Sequence, residues 1–382
     1  MNAYEMQTVD GLAPEAVDAW GGVVTGFLAH SRDTAVALEA LRAAAPDFAL
    51  AEATRGLFLL LLGRAELVAP AKAALSAAKV ARVRQGQARP ERLTAFVDAL
   101  EAYAAGRPSR AAERLALHLQ EAPADVLACK LEHAIRFVLG DRRGMLRGIE
   151  AVLPAYAHGH PHRGYVLGCH AFALEENGAY AEAEAAGRAA LEEAPDDAWG
   201  LHAVAHVLDM TGRSGEGIDW LARQEPAFAH CNNFGAHVWW HLALFHLDRA
   251  EYDAVLALYD TRIRAEQTDD YRDIANGASM LTRLEIEGIA VGDRWDELVA
   301  LSEARVEPGC VVFADLHYLL ALEAGGRRGA ADAMIARLAA DAAAADHDMH
   351  EVAALAGLPC ARGLTAFRAG AYDAAYEALR DS

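Results

Sequence analysis

The sequence predicts an all-α protein, an α-solenoid of repeated helix pairs that curves around a concave inner groove. Three observations lead to this fold class. Alanine, whose side chain loses no conformational entropy on entering a helix, dominates a chain of 382 residues that is 54% hydrophobic. A proline–aspartate phrase recurs between candidate helices, and a second phrase built on a small residue and a tyrosine recurs within candidate helix pairs.

The proline–aspartate phrase marks the turns between repeat units. It is found in LRAAAPDFALA from Leu41, LQEAPADVLAC from Leu119 and LEEAPDDAWGL from Leu191. Proline ends the preceding helix, and aspartate can cap the N–H groups that open the next one. The three prolines lie 77 and 72 residues apart, or about two units of thirty-odd residues each.

The second phrase marks the turn inside a unit. It reads GAYAEAEAA from Gly178, AEYDAVLAL from Ala250 and GAYDAAYEAL from Gly370. A small residue, an aromatic residue two positions later and alanines at helical spacing are typical of tetratricopeptide repeats. We expect about ten helix pairs in one domain over residues 1–382, with irregular backbone over residues 1–13 and a histidine-rich pocket region over about 130–320.

Composition restricts the partners. A formal charge of −20 repels phosphate backbones and anionic lipid, so we expect neither a nucleic-acid nor a membrane partner. The basic stretch from Lys79 to Arg92 is interpreted as an exposed loop, or else as an anion-binding patch. The five cysteines are scattered, and no secretory signal or apolar span is visible, so a soluble cytoplasmic protein is expected.

Two helical phrases carry histidines four residues apart. LHAVAHVLDM places His202, His206 and Asp209 on one stripe of a helix. AHVWWHLAL places His237, Trp240 and His241 along one side of the first helix of the next pair. Because residues four apart are neighbours on a helix, each phrase can bring two imidazoles around one point, and two adjacent helices can bring four together.

Three interpretations of these histidines stay open. His202, His206, His237 and His241 can bind a divalent metal such as zinc, with Asp209 as a further ligand or as a partner of a ligand histidine. They can act as metal-free acid and base groups on a small molecule, because imidazole titrates near neutral pH. They can also form a structural hydrogen-bond network. No nucleotide-binding loop is present, so no nucleotide cofactor is expected.

Other residues are candidates for the same site. Glu176 is a candidate carboxylate partner and His317 a further candidate catalytic residue. His133, Trp240, Asp209 and Arg283 are candidate substrate-binding residues, Trp240 as an aromatic floor and Arg283 as a clamp for a carboxylate.

The chain resembles the tetratricopeptide repeat protein 38 family. The resemblance rests on ordered phrases such as CKLEHAIRFVLGD from Cys129, DAWGLHAVAHVLDM from Asp197 and CNNFGAHVWWHLALFH from Cys231. It implies a tetratricopeptide-like solenoid and a shared pocket that includes the histidines named above, but it supplies no reaction. The family pattern continues with Gly-Gly-Ser-x-Ala-Gln-Arg-Asp where this sequence ends at EALRDS, so a more open or differently completed site is expected.

The leading function hypothesis is therefore binding of a small molecule, with or without a divalent metal, and acid/base or metal-assisted catalysis on it. The alternative is an interaction scaffold whose groove binds a partner peptide while the histidines form a structural network. Clustered histidine and tryptophan, with few lysines, favour the compact pocket.

Overall fold

The structure is a computed structural model, and it describes residues 2–84, 90–307, 309, 311–344 and 347–380. These residues form helices and turns, with no strand and one isolated antiparallel bridge between Ser31 and Cys231. The all-α prediction is confirmed. The chain divides into two compact units, residues 1–235 and 236–382, and each has its own hydrophobic core. The prediction of a single domain stays a prediction.

The first unit contains thirteen α-helices among its described residues. They are α1 (Ala3–Thr8), α2 (Pro14–Leu28), α3 (Thr34–Ala44), α4 (Ala49–Leu61), α5 (Val68–Arg84), α6 (Pro90–Ala104), α7 (Pro108–Glu121), α8 (Val126–Val138), α9 (Arg142–Val152), α10 (Arg163–Glu176), α11 (Tyr180–Glu193), α12 (Ala198–Met210) and α13 (Ser214–Arg223). Short 3₁₀ turns lie at Ala65–Leu67, Leu153–Ala155 and Glu225–Ala227.

The second unit continues the same alternation. Its helices are α14 (Phe234–Asp248), whose first two residues belong to the first unit, α15 (Tyr252–Leu258), α16 (Tyr271–Ile286), α17 (Trp295–Glu303), α18 (Val312–Ala324), α19 (Arg328–Ala343), α20 (Met349–Val352), α21 (Leu358–Arg368) and α22 (Tyr372–Leu379). Two π-helical turns lie at Tyr259–Ile263 and Ala353–Gly357.

Within each unit, helices pack on their neighbours in sequence and on the helix two positions further on. In the first unit α4 packs on α5 and α6, and α10 packs on α11 and α12. In the second unit α16 packs on α17 and α18. Nearest-neighbour packing of this kind is the arrangement of helical repeats. Setting aside α1 and α20, the described helices follow one another as ten pairs, from α2 with α3 to α21 with α22.

The proline–aspartate turns form as predicted at two of the three sites. Asp125 and Asp197 are the N-caps of α8 and α12, and their carboxylates accept the backbone N–H groups of Ala128 and Gly200. At the third turn, α3 ends at Ala44 and α4 begins at Ala49, with Phe48 as its N-cap.

The turns inside the pairs need a left-handed residue. Gly178 and Gly370 adopt φ angles of +81° and +73°, two residues before α11 and α22 begin. Ala250 occupies the same position before α15 with φ +56°, a conformation that disfavours a side chain. The recurring phrase therefore encodes a backbone reversal, and glycine is the residue that forms it without strain.

The N-terminal residues correct one prediction. Residues 1–13 were expected to be irregular, but Ala3–Thr8 forms α1, with Asn2 as its N-cap. Glu5 of α1 is wholly buried and receives two hydrogen bonds from the Arg92 guanidinium, at 2.9 and 3.0 Å. This long-range ion pair holds the short helix in place.

The structure also corrects the interpretation of the basic stretch from Lys79 to Arg92 as an exposed loop. Lys79 to Arg84 lies in α5, and Arg92 in α6 is wholly buried rather than exposed. Its guanidinium also donates to Asp125 at 2.7 Å, and the second oxygen of Asp125 lies 2.9 Å from the His118 Nε2. Residues 85–89 of this stretch lie outside the described residues.

Two further predictions concern cysteines and membranes. Cys129, Cys169 and Cys231 are buried, Cys360 is half-buried, and all four carry free thiols. Cys310 lies outside the described residues. Among the helices that the structure describes, none is long and apolar enough to cross a membrane.

Candidate functional site

Every sequence-predicted site residue lies on the first helix of a pair. His133 is on α8, Glu176 ends α10, His202, His206 and Asp209 are on α12, His237, Trp240 and His241 are on α14, Arg283 is on α16, and His317 is on α18. The first five of these belong to the first unit and the other five to the second. The two histidine pairs are described separately, and the hypothesis that they share one ligand stays a prediction.

His202 and His206 face each other across one turn of α12. Their Nε2 atoms lie 2.9 Å apart, and the ring centroids are 4.2 Å apart. His202 is buried, whereas the side chain of His206 keeps 24% of its surface exposed. The pair therefore joins a buried imidazole to one that solvent can reach.

Glu175 is the carboxylate that lies against this pair. Its Oε2 is 3.3 Å from the Nδ1 of His206, so the ring lies between a carboxylate and the second imidazole. Glu176 lies beside it, since Glu175, Glu176 and His206 each offer a ligand atom within 4.8 Å of the other two. Burial, and then the charge of Glu175, raise the pKa of Glu176 above its usual range.

Glu175 was not among the residues predicted from the sequence, which indicated Glu176 and Asp209 instead. Asp209 lies half-buried on α12, one turn beyond His206. Residues three and four positions after Phe172 share its face of α10, so spacing alone places Glu175 and Glu176 equally. Only the packing distinguishes them: the Phe172 ring stacks on His202 with centroids 5.7 Å apart, and Glu175, one turn further along α10, contacts His206.

Aromatic rings surround the His202 imidazole. Trp199 lies 5.3 Å from it, and Phe234, at the start of α14, lies 5.2 Å from it in an edge-on arrangement. His133 contacts Phe172 and Trp199 edge-on, each at 6.1 Å. The histidine pair thus rests on an apolar wall that lowers the local dielectric and strengthens its electrostatic contacts.

His133 stays neutral inside this wall. Burial, and then the nearby charge of Lys130, lower its pKa to about 3. Neither ring nitrogen has a hydrogen-bond partner among the described residues. His133 therefore packs as an apolar ring in the structure, and the sequence-based hypothesis that it binds substrate stays a prediction.

The second unit holds the other pair. The Nε2 atoms of His237 and His241 lie 3.2 Å apart on α14, and the Nδ1 of His237 lies 2.9 Å from the Oδ1 of Asn276 on α16. The Trp240 ring stacks on His237 with an interplanar angle of 11°. Asn276 was not predicted from the sequence either, because a lone asparagine among small residues carries no signal for a histidine partner.

Arg283 and His317 lie near Trp240 in the same unit. The Arg283 guanidinium is 5.6 Å from the centre of the Trp240 ring and donates to the Ser279 hydroxyl. The Nδ1 of His317 lies 2.7 Å from the carbonyl oxygen of Phe313. Burial is the main cause that lowers the pKa of His317, and the charge of Arg283 adds to it. Arg283, the predicted carboxylate clamp, and Trp240, the predicted aromatic floor, are thus neighbours.

The two pairs share one geometric rule. In each, the Nε2 atoms point at one another while the Nδ1 of one member lies on an acceptor oxygen, Glu175 for His206 and Asn276 for His237. A histidine that donates its outer N–H to an oxygen has its Nε2 lone pair facing inward. Asn276 is at hydrogen-bond distance for this in the second pair, and Glu175 lies close enough to favour the same tautomer in the first. Such a pair can bind a metal ion or pass a proton.

The comparisons with known proteins add little to this geometry. No protein-family model matches the chain. Among solved structures, the chain is similar to the human IFIT1 dimer with PPP-AAAA, at 12% identity and a TM-score of 0.39, with 99% of this chain and 92% of that chain covered. At this TM-score the likeness carries no argument about ligand or partner, and the absence of a nucleic-acid partner stays a prediction. From its own helix arrangement, the chain is an all-α repeat protein of the tetratricopeptide-like kind.

Proposed function

We propose that this repeat protein binds a divalent metal ion such as zinc through His202 and His206, with Glu175 orienting the His206 ring, and acts through that site on a small molecule. The observation that carries the proposal is the contact of the His206 Nδ1 with Glu175 while its Nε2 faces that of His202. Metal-binding histidines almost always hold the outer ring nitrogen on a carboxylate or carbonyl oxygen.

The donor set fits such an ion. Imidazole suits zinc and other transition metals, and carboxylate oxygen is a further zinc ligand. His202 and His206 would supply two protein ligands through their facing Nε2 atoms and leave positions for water or substrate. The bound ion would supply Lewis-acid polarisation or an activated water, while the aromatic wall would limit solvent access.

The second pair supports the same chemistry by repetition. His237 and His241 reproduce the inward-facing arrangement on α14, with Asn276 in the place of the carboxylate. An amide oxygen carries no charge, so this pair makes a weaker site by itself. The sequence-based hypothesis that all four histidines bind one ion predicts a stoichiometry of one metal per chain.

A metal-free acid/base function is the second candidate. It is favoured by the chain of contacts from Glu175 through His206 to His202, because a histidine oriented by a carboxylate is the usual arrangement of a general base. The half-buried Glu176, whose pKa is raised, is an additional proton donor at the same place.

The decisive experiment is elemental analysis of protein purified without an affinity tag, combined with zinc titration by calorimetry. The variants are His202→Gln with His206→Gln, and His237→Gln with His241→Gln. His158→Gln is the matched control, because its side chain is 94% exposed and lies outside both pairs. Thermal unfolding of each variant is measured alongside.

Stoichiometric metal that is lost in the His202→Gln/His206→Gln variant and kept in the control supports the proposal. Loss in the His237→Gln/His241→Gln variant as well supports the hypothesis that all four histidines bind one ion. Absence of metal, with folded variants of parental stability, overturns the metal site and leaves the acid/base candidate. Destabilisation of several kcal/mol, with no metal in the parent, identifies the histidines as a structural network and favours the scaffold alternative.

Membership of the tetratricopeptide repeat protein 38 family is part of this proposal. It rests on the ordered phrases that carry His133, His202, His206, His237 and His241 in this sequence. If the family shares this pocket, the same substitutions in another member abolish metal binding there too.

A further inference from the structure

A separate cavity lies in the second unit, beside the π-helical turn Tyr259–Ile263. Its volume is about 360 Å³, which is within the usual range for a small-ligand site. The turn closes when the backbone N–H of Arg264 donates to the carbonyl of Tyr259 at 2.8 Å. Extra residues inserted into helices in this way are frequent at functional sites.

Arg264 forms one wall of the cavity and is buried, with an exposed fraction of 4%. Its Nε and Nη2 donate to the two carboxylate oxygens of Glu297, each at 2.8 Å, and Nη2 also donates to the Thr268 carbonyl. The remaining nitrogen, Nη1, is buried and has no acceptor in the part of the chain that the structure describes.

Tyr259 also lines the cavity and carries a second buried donor. Its side chain is 3% exposed, and its hydroxyl has no hydrogen-bond partner among the described residues. A buried donor without an acceptor is destabilising, because it has lost its hydrogen bonds to water. Both donor atoms are buried beneath the cavity surface, on side chains that line it, so an acceptor oxygen in the cavity would satisfy them once the two side chains turn towards it.

The rim of the cavity is acidic and favours a positively charged group. Asp293 and Asp296 line it and are exposed. Arg294 is already engaged, since it donates to both oxygens of Asp260 at 2.8 and 2.7 Å. The lining therefore carries four carboxylates against two guanidiniums, which repels a simple anion and attracts an ammonium group.

We propose that this cavity binds a small zwitterion with a carboxylate at one end and an ammonium at the other, the chemistry of an amino acid. The carboxylate accepts hydrogen bonds from the Arg264 Nη1 and the Tyr259 hydroxyl. The ammonium lies at the rim against Asp293 and Asp296. This site is independent of the histidine pairs and of any metal.

The test is calorimetric titration of the full chain with four probes. Two are zwitterions of different length, 4-aminobutanoate and 6-aminohexanoate, and two carry one charge each, butanoate and butylamine. At least one zwitterion is expected to bind tenfold or more tightly than either singly charged probe, since each charge contact contributes about 1.4 kcal/mol or more.

Two variants connect the binding to the cavity. Tyr259→Phe removes only an unpaired hydroxyl, so the fold is kept, and it is expected to weaken the zwitterion about threefold to tenfold. Asp293→Asn with Asp296→Asn is expected to weaken the zwitterion and leave butanoate unchanged or tighter. Asp253→Asn, an exposed aspartate on α15 outside the cavity lining, is the matched control.

Binding that follows this pattern supports the site. The proposal is overturned if neither zwitterion binds at millimolar concentration, or if butanoate binds as well as both of them. It is equally overturned if Tyr259→Phe binds the zwitterion like the parent, because the ligand would then make no hydrogen bond with the Tyr259 hydroxyl.

Discussion

Asp197 links the stability of the histidine-bearing helix to pH. It is the N-cap of α12, accepts the N–H of Gly200 at 3.1 Å and is wholly buried. Burial raises its pKa to about 7, although the charge of Lys130 and the cap hydrogen bonds act in the opposite direction. The folded protein therefore holds this proton up to a much higher pH than the unfolded chain does.

The sign follows from proton linkage. Between the ordinary aspartate pKa of 3.8 and a folded pKa of about 7, the folded state binds more protons than the unfolded state. The free energy of unfolding therefore falls as pH rises through this window, and it is flat above the folded pKa. The full loss is about 4 kcal/mol, of which about 1 kcal/mol falls between pH 6 and pH 8.

Asp197→Asn removes this titration and keeps a good N-cap, because asparagine caps helices about as well as aspartate. The stability of the variant minus that of the parent is expected to increase by about 1 kcal/mol from pH 6 to pH 8. The assay is urea unfolding of both proteins at pH 6, 7 and 8. Glu113→Gln on α7, an exposed residue in the same unit, controls for the loss of one negative charge. A difference that is constant or shrinks with pH refutes the reasoning.

Three other substitutions test the site and its packing. Glu175→Gln removes the charge beside the histidine pair and is expected to weaken zinc binding about 10- to 100-fold by calorimetry, with unfolding temperature as the control. Arg92→Met leaves the Glu5 carboxylate buried without its partner and is expected to cost about 3–5 kcal/mol in urea unfolding; a loss below about 1 kcal/mol contradicts this. Gly168→Ala places a Cβ against the Asp197 carboxylate and 2.9 Å from the Gly200 N. The free energy of unfolding is expected to fall by about 1–3 kcal/mol because the added atom overpacks the contact between α10 and α12. Parental stability would show that the two helices can move apart without cost.

Local signals predicted most of the fold. The prolines at 123 and 195 and the aspartates two positions later end one helix and cap the next, and Gly178 and Gly370 reverse the chain as their phrases indicate. These effects act within a few residues, so a single sequence contains them in full. The placement of the histidines on first helices follows from the same local rules.

Contacts between distant residues were beyond such rules. The sequence favoured Glu176 and Asp209 as histidine partners, but the structure brings Glu175 to His206 from a helix 31 residues earlier. It also favoured a loop around Arg92, although the guanidinium pairs with Glu5 over 87 residues of sequence. No composition or periodicity within either segment encodes the other partner.

The sequence by itself determined that this chain is a series of helix pairs, where the pairs turn, and which helix stripes carry imidazole. Only the tertiary structure decided which carboxylate meets which histidine, that Arg92 is buried, and that Arg264 and Tyr259 line one cavity. The physical reason is that capping and helix propensity act along the chain. The choice between neighbouring side chains on one face is made when that face packs against another helix, and burial then sets the charge and pKa of each group.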